Sequence, residues 1–368
     1  MDEWHIGLEQ QGGNTFMKMP LRKGDELIRT VLPEQWHLEV TGIHFIPIGD
    51  SAYSYRVEVR PNSSYYLKVI DQRMSAGRRT AAHMGFTLPL QHLVAKLHLA
   101  EANAPLPQPT ITGALHAIHE SFLFALYTFI HGETQASAYP MTPALIGRIG
   151  QALATLHTIR IPETLQQRSP QDRLTAPFDA DLLTDLAALE TISSHDALYL
   201  QRLREVTWPR RERIRAFLAH SQEYASKAQQ IPVSAVICHG DAWGGNMILS
   251  PSGRLILLDW ESAVMAPPER DAFMYLGYLG TEFTAFDAGY RMIHQEPMHW
   301  HAEWLAYYAY RRQLRNLAHW LHNLLHEPLD EAQRDNDVTM IEDHCLDRLE
   351  SVERTATELV AGSSDERI

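Results

Sequence analysis

Only two cysteines, Cys238 and Cys345, occur among the 368 residues. That is too few for a disulfide scaffold or a cysteine-built zinc site. No apolar stretch approaches the 18 or more residues that a membrane-spanning helix needs. The opening segment MDEWHIGLEQQGGN has no apolar signal core, so the cytoplasm is the expected compartment and no membrane partner is expected. Basic excess is also missing: 32 Lys and Arg stand against 45 Asp and Glu, a net charge of −13. This argues against a nucleic-acid-binding surface.

Hydrophobic residues make up 45% of the chain, enough for a large core. The length suits two domains or one two-lobed enzyme, as a monomer or a homodimer. Charge is uneven, with a net of −1 over residues 1–130 and −12 over residues 131–368. An acidic second part suits a cationic small-molecule partner, although surface helices carry such charge for solubility alone.

Patterning supports that division. Residues 1–19 are weakly patterned and read as an extension. The stretch 21–33 reads as a short amphipathic helix closed by Pro33. Strand-like runs follow at 43–49, 54–60 and 65–70, the last two joined by a turn at Pro61–Ser64. A helix is expected at 88–102 and two further strands within 111–132. Beyond Gly132 the periodicity is mostly helical, starting from a cap at Thr142-Pro143 and interrupted by a strand pair within 232–259. The expected fold is α+β, with a small antiparallel sheet lobe with one helix over residues 20–130 and a larger, mostly helical lobe over 131–368.

Chemistry concentrates in the segment VICHGDAWGGNMILSPSGRLILLDWES, residues 236–262. His239-Gly240-Asp241 is followed five residues later by Asn246. Two apolar runs flank Pro251-Ser252-Gly253, and Asp259 ends the second. A hairpin between Asn246 and Asp259 brings an amide oxygen and a carboxylate to one end of a ribbon, a hard-oxygen pair suited to Mg2+. Asp241 is then left to orient a hydroxyl or accept its proton, the division of labour seen in phosphoryl transfer. His239 reads as a structural hydrogen-bonding residue of the loop. Trp243 offers an aromatic face to a sugar or cyclitol ring, or simply packs in the core.

The step from Asp241 to Asn246 matches that of the protein-kinase catalytic loop. The form H-G-D-x-x-x-x-N with D-W-E at Asp259–Glu261 resembles the aminoglycoside phosphotransferase (choline kinase-like) family over about residues 20–325. The segments Ala266–Asp271 and Tyr307–Arg312 place the likeness nearest to spectinomycin-type phosphotransferases. The resemblance implies a protein-kinase-like two-lobed fold. It also implies an ATP- and Mg2+-dependent kinase of a small hydroxylated, cationic molecule such as an aminoglycoside or aminocyclitol, and hence a role in antibiotic resistance.

By the same resemblance, Lys68 contacts the α and β phosphates. The loop containing Gly49 and Ser51 covers the phosphates, although one glycine is far from a full G-x-G-x-x-G. The backbones of Thr128 and Ile130 meet the nucleobase. Asp241 is the catalytic residue, and Asn246 and Asp259 hold the metal. Trp243, Glu261 and Glu269 are the candidates to face the acceptor, while Asp271 anchors the loop. A helix carboxylate usually partners the strand lysine in such folds, but the 88–102 segment offers only Glu101, near its end, and Gln91.

Three other functions compete. A metabolic kinase of choline, homoserine or a sugar fits the same residues. A nucleotide-binding pseudokinase fits if the missing helix carboxylate matters. A two-metal phosphohydrolase lacks the further His and Asp ligands that such a centre needs. His294, His299 and His301 do not form an H-E-x-x-H pair, so no zinc site is expected there.

Overall fold

Alternation of apolar and polar side chains marks the second strand of the first sheet. Tyr55, Val57 and Val59 are buried while Arg56 and Glu58 point the other way. A computed structural model of the chain describes residues 19–47, 52–172, 174, 178–277, 283–294 and 298–365. In chain order it forms α1 (Gly24–Trp36), β1 (Val40–Ile46), β2 (Tyr53–Val59), β3 (Ser63–Asp71), α2 (Ser75–Leu97), β4 (Ala117–His119), β5 (Phe122–Thr128), β6 (Glu133–Thr134) and α3 (Pro143–His157). Next come α4 (Glu163–Gln166), α5 (Phe178–Ala188), α6 (Leu198–Thr207), α7 (Arg211–Ala228), β7 (Val236–Cys238), β8 (Met247–Leu249), β9 (Leu255–Leu257) and β10 (Val264–Ala266). The chain ends with α8 (Glu269–Ala272), α9 (Phe283–Ile293), α10 (Ala302–His326), α11 (Glu331–His344) and α12 (Leu349–Asp365).

The fold is α+β and protein-kinase-like, with a small antiparallel sheet followed by a larger helical region. Packing divides the chain into two compact units, each assembled from separate stretches. The first holds the chain up to Tyr139, Gln151–Pro170 and His239–Val264. The second holds Pro140–Gly150, Gln171–Cys238 and Met265 to the end. The hairpin of β8 and β9 therefore groups with the sheet, whereas the sequence assigned it to residues 131–368. The reason is local: β6 pairs with β8, and the Asn103 side chain bonds Leu255 O and Arg254.

In the first unit five strands pair antiparallel in the order β1-β2-β3-β5-β4. One face buries Val57, Leu67, Val69, Phe124 and Leu126 against Ile28, Val31, Leu32 and Trp36 of α1. The other buries Ile70, Leu123 and Ala125 with Met84 and Leu88 of α2. Covering both faces removes the central strands from water, and truncating one of these large side chains to Ala costs about 2–5 kcal/mol.

Two helices differ from expectation. Pro33 does not close α1, which runs one turn further because Trp36 is buried and donates Nε1–H to Gln108 O at 3.0 Å. Stopping at Pro33 would expose that indole. The helix expected at 88–102 instead spans Ser75–Leu97, with Pro89 inside it and its end at His98 in the left-handed region. Its first turns, SAGRRTAAHMG, bury few residues, so they carry little apolar periodicity.

The second unit is organised around α10, whose 25 residues pack against α5, α7, α11 and α12. Aromatic and aliphatic side chains from Trp304 to Leu324 are buried on several of its faces, the pattern of a central helix. Gly289 meets the chain so closely that an added Cβ would lie 1.9 Å from Gly147 O, which fixes α9 against the start of α3.

Candidate active site

Lys68 lies on β3, the middle strand of the five, opposite Ser54 on β2 and Ala125 on β5. Alternation puts it on the α2 face between Tyr66 and Tyr127, where an ammonium needs a partner. It has two. Nζ donates to Asp259 Oδ1 at 2.6 Å and to Glu261 Oε1 at 2.5 Å. Burial, the largest single influence, would lower its pKa, but the Asp259 carboxylate together with the Tyr66 and Tyr127 phenols outweighs it and the ammonium is held well above its ordinary range. Burial pushes both neighbouring phenols up, opposed by the Lys68 charge.

The carboxylates converge because of a backbone turn. Asp259 sits in the left-handed region at φ 58° and ψ 64°, and a 3-10 turn over Trp260–Ser262 follows. A non-glycine residue there costs roughly 1–2 kcal/mol, so the surroundings must hold it. Leu258 N donates to Asn246 O at 2.8 Å, and Trp260 Nε1 donates to Leu257 O at 2.9 Å. The His239 ring adds a 2.7 Å bond to Leu258 O, which fits its expected structural role. Gly240 has φ 80°, and a Cβ there would lie 2.2 Å from Ser262 O, so the middle position of His239-Gly240-Asp241 admits only glycine.

The hairpin forms as expected, with Met247 opposite Leu257 and Leu249 opposite Leu255. Asn246 and Asp259 therefore stand at the same end. The Asn246 amide Nδ2 donates to Asp241 O at 2.9 Å and to Asp241 Oδ2 at 3.1 Å. That orients the amide so that its oxygen is the end presented away from Asp241. Asp259 keeps its second oxygen, and its side chain is 41% exposed while that of Lys68 is 12% exposed. An amide oxygen and a reachable carboxylate oxygen fit a Mg2+ ion.

The other expected residues fare differently. Gly49 and Ser51 lie outside the described residues. Thr128 N donates to Leu106 O and its hydroxyl accepts from Leu106 N, both at 3.0 Å, so a base contact through this residue falls to its carbonyl. Ile130 follows β5 and is half-buried. The Trp243 ring packs over Gly245, where a Cβ would meet it at 2.2 Å, and it is half-buried. Glu261, expected from the sequence to face the acceptor, is placed as the second carboxylate on Lys68.

Glu269 belongs to the second unit and is 1% exposed. Its Oε1 accepts from His301 N at 3.0 Å, and Oε2 has no partner among the described residues. Burial pushes this carboxyl up to about 7. Asp271 is equally enclosed, so exposure does not single out Glu269 as the residue facing a substrate.

Sequence reading missed the partner of Lys68. It sought a carboxylate on the helix, but α2 contains no Asp or Glu at all. That absence was the available signal, and Glu261, two residues beyond Asp259, was the acid near enough to the motif to fill the role.

The model of the phosphotransferase enzyme family matches residues 42–310. Protein StrN of Streptomyces griseus is 24% identical over 283 residues, 74% of this chain and 80% of its own. Among solved structures, spectinomycin phosphotransferase APH(9)-Ia in complex with ADP and spectinomycin superposes with a TM-score of 0.73 at 19% identity, over 92% of this chain and 99% of that one. Amicoumacin kinase hAmiN in complex with AMP-PNP, Ca2+ and Ami gives a TM-score of 0.54 at 15% identity, over 87% and 94%. These two structures share the fold described above.

Proposed function

The chain belongs to the phosphotransferase enzyme family, and we propose that it is an ATP-dependent O-phosphotransferase acting on a small hydroxylated, cationic molecule of the aminoglycoside or aminocyclitol class. The observation that carries this reading is the convergence of Lys68, Asp259 and Glu261, on the same hairpin end as the Asn246–Asp241 pair. Residues 20–130 serve the nucleotide, residues 131–368 carry the catalytic and metal-holding residues and bind the acceptor, and residues 1–19 are an extension. The protein acts in the cytoplasm as a monomer or homodimer. No helix among the described residues is long and apolar enough to cross a membrane.

Each residue has a role in this scheme. Lys68 steadies the α and β phosphates, and Thr128 and Ile130 meet the base through their backbones. Gly49 and Ser51 cover the phosphates. Asn246 and Asp259 would hold Mg2+, which when bound neutralises charge on the β and γ phosphates. Asp241 orients the acceptor hydroxyl and takes its proton, with its carboxylate held in place by the Asn246 amide. Trp243 packs against the acceptor ring. Glu261 holds Lys68 in the position usually governed by a helix carboxylate, which removes the one sequence-level reason for preferring a non-catalytic pseudokinase.

A cationic acceptor is favoured by the acidic balance of residues 131–368, net −12. The relatives point the same way in name only, since spectinomycin and gentamicin are what those other proteins are described as binding. The test is ATP consumption with product analysis across aminocyclitols, aminoglycosides, choline, homoserine and neutral sugars. The expected result is a monophosphorylated aminocyclitol or aminoglycoside. Phosphorylation of choline, homoserine or a sugar alone would overturn the acceptor class, and absence of any phosphorylated product would overturn the kinase reading.

A further inference from the structure

The second unit carries a side-chain cluster that phosphoryl transfer does not use. We propose that Asp185, His322 and His326 form a binding site for a divalent transition-metal ion of the zinc type. Asp185 lies on α5, while His322 and His326 lie one turn apart on α10, on the same side of the helix. The two helices pack against each other. One ligand atom from each of the three side chains lies within 4.8 Å of the others.

The geometry is close to that of chelation. His326 Nε2 stands 2.7 Å from Asp185 Oδ1. Two ligands of a tetrahedral ion with bonds of about 2.1 Å stand about 3.4 Å apart, so this directly bonded pair has to open by about 0.7 Å to admit an ion between its two ligand atoms. The His322 ring is partly exposed, so it is free of the close packing that would stop it turning toward an ion held by the other two. Its Nε2 also lies 3.8 Å from Glu327 Oε1, a second carboxylate able to orient the ring or take a fourth position.

An independent observation is the state of Asp185. Its side chain is 5% exposed, yet Oδ2 has no hydrogen-bond partner among the described residues. A buried carboxylate oxygen left in that state is destabilising. A cation at this point satisfies it. Access is open, because the His326 side chain is 48% exposed.

The donor set selects the ion. Two imidazoles and a carboxylate suit Zn2+, Co2+ or Ni2+, whereas Mg2+ prefers oxygen donors and water. The site is thus chemically distinct from the Asn246 and Asp259 pair. Three protein ligands leave a position for water, and an ion here clamps α5 to α10 and stabilises the fold by mass action.

The test uses tag-free, full-length protein stripped by a chelator. Co2+ titration is followed by visible absorption, and Zn2+ binding by calorimetry and thermal melting. The expected result is one Co2+ equivalent with intense ligand-field bands, displaced by Zn2+, and a higher melting temperature with Zn2+. His322→Ala/His326→Ala should abolish the bands and weaken Zn2+ binding by about tenfold or more. Asp185→Asn keeps the shape of the carboxylate and should also lose the bands. If Asp185 and His326 form only an ion pair, the double variant melts lower without metal but binds Co2+ and Zn2+ as the wild type does, and the proposal fails. It fails equally if the wild type shows neither bands nor a Zn2+-dependent shift.

Discussion

Two triads of charge in this molecule have opposite composition. In the first unit one cation, Lys68, is shared by Asp259 and Glu261. In the second unit one anion, Asp172, lies between Arg311, 2.5 Å away, and Arg270, 3.6 Å away. The lysine triad carries an excess of negative charge and keeps Asp259 open to solvent. The aspartate triad is closed: Asp172 is 5% exposed, Arg311 also bonds the Tyr307 hydroxyl, and Arg270 lies over the rings of Phe273 and Tyr308. Excess charge at a reachable group is what a ligand cation requires. A charge enclosed by guanidiniums and aromatic rings is spent on holding helices together. An ion cluster thus reads as functional when it is left incomplete and accessible.

The sharpest way to break this contrast is to remove one charge from each side. Asp241→Ala, beside the open triad, should lower phosphoryl-transfer turnover by about 10^3-fold or more while ATP binding changes little, as read by steady-state kinetics and nucleotide titration. Asp172→Ala should act on stability instead. Leaving two half-buried guanidiniums uncompensated costs up to about 3–5 kcal/mol, measured by denaturant unfolding, with turnover of the folded fraction preserved. Loss of turnover without loss of stability in that variant would erase the distinction.

Glu269 gives a smaller effect with a definite pH sign. Its carboxyl titrates near 7 in the fold against an ordinary 4.5, so the folded chain holds the proton more tightly than the unfolded chain. Its contribution to stability is therefore full below pH 4.5 and is lost as pH rises through 7, a change of about 3 kcal/mol at most. Glu269→Gln should flatten the pH dependence of unfolding over that window, and an unchanged slope would contradict it. The smallest effect belongs to Glu261→Gln, which keeps a hydrogen bond to Lys68 but removes a charge. It should weaken kcat/KM for ATP by about tenfold, near 1.4 kcal/mol, with stability almost unchanged.

Much of the first sheet was legible because alternation is a local signal: Tyr55, Val57 and Val59 identify their own buried face. The hairpin and the Asp241–Asn246 step were legible for the same reason, since both depend on short spacings. The start of α2 was hidden by its polar first turns and by Pro89. The Glu261 bond to Lys68 was not legible because it depends on one left-handed residue, Asp259, and the 3-10 turn after it, a geometry that residue types do not announce. The Asp185–His326 pair joins residues 141 positions apart and leaves no local trace.

The central claim is a division of labour at the hairpin end, with Asn246 and Asp259 for the metal and Asp241 for the acceptor. Mn2+ is an oxygen-seeking, paramagnetic substitute for Mg2+, so its binding in the presence of a non-hydrolysable ATP analogue can be followed by electron paramagnetic resonance in the wild type, Asp259→Asn and Asp241→Asn. The account predicts that Asp259→Asn loses nucleotide-dependent Mn2+ binding and that Asp241→Asn retains it without turnover. Retention by Asp259→Asn together with loss by Asp241→Asn would reverse the assignment and contradict the account.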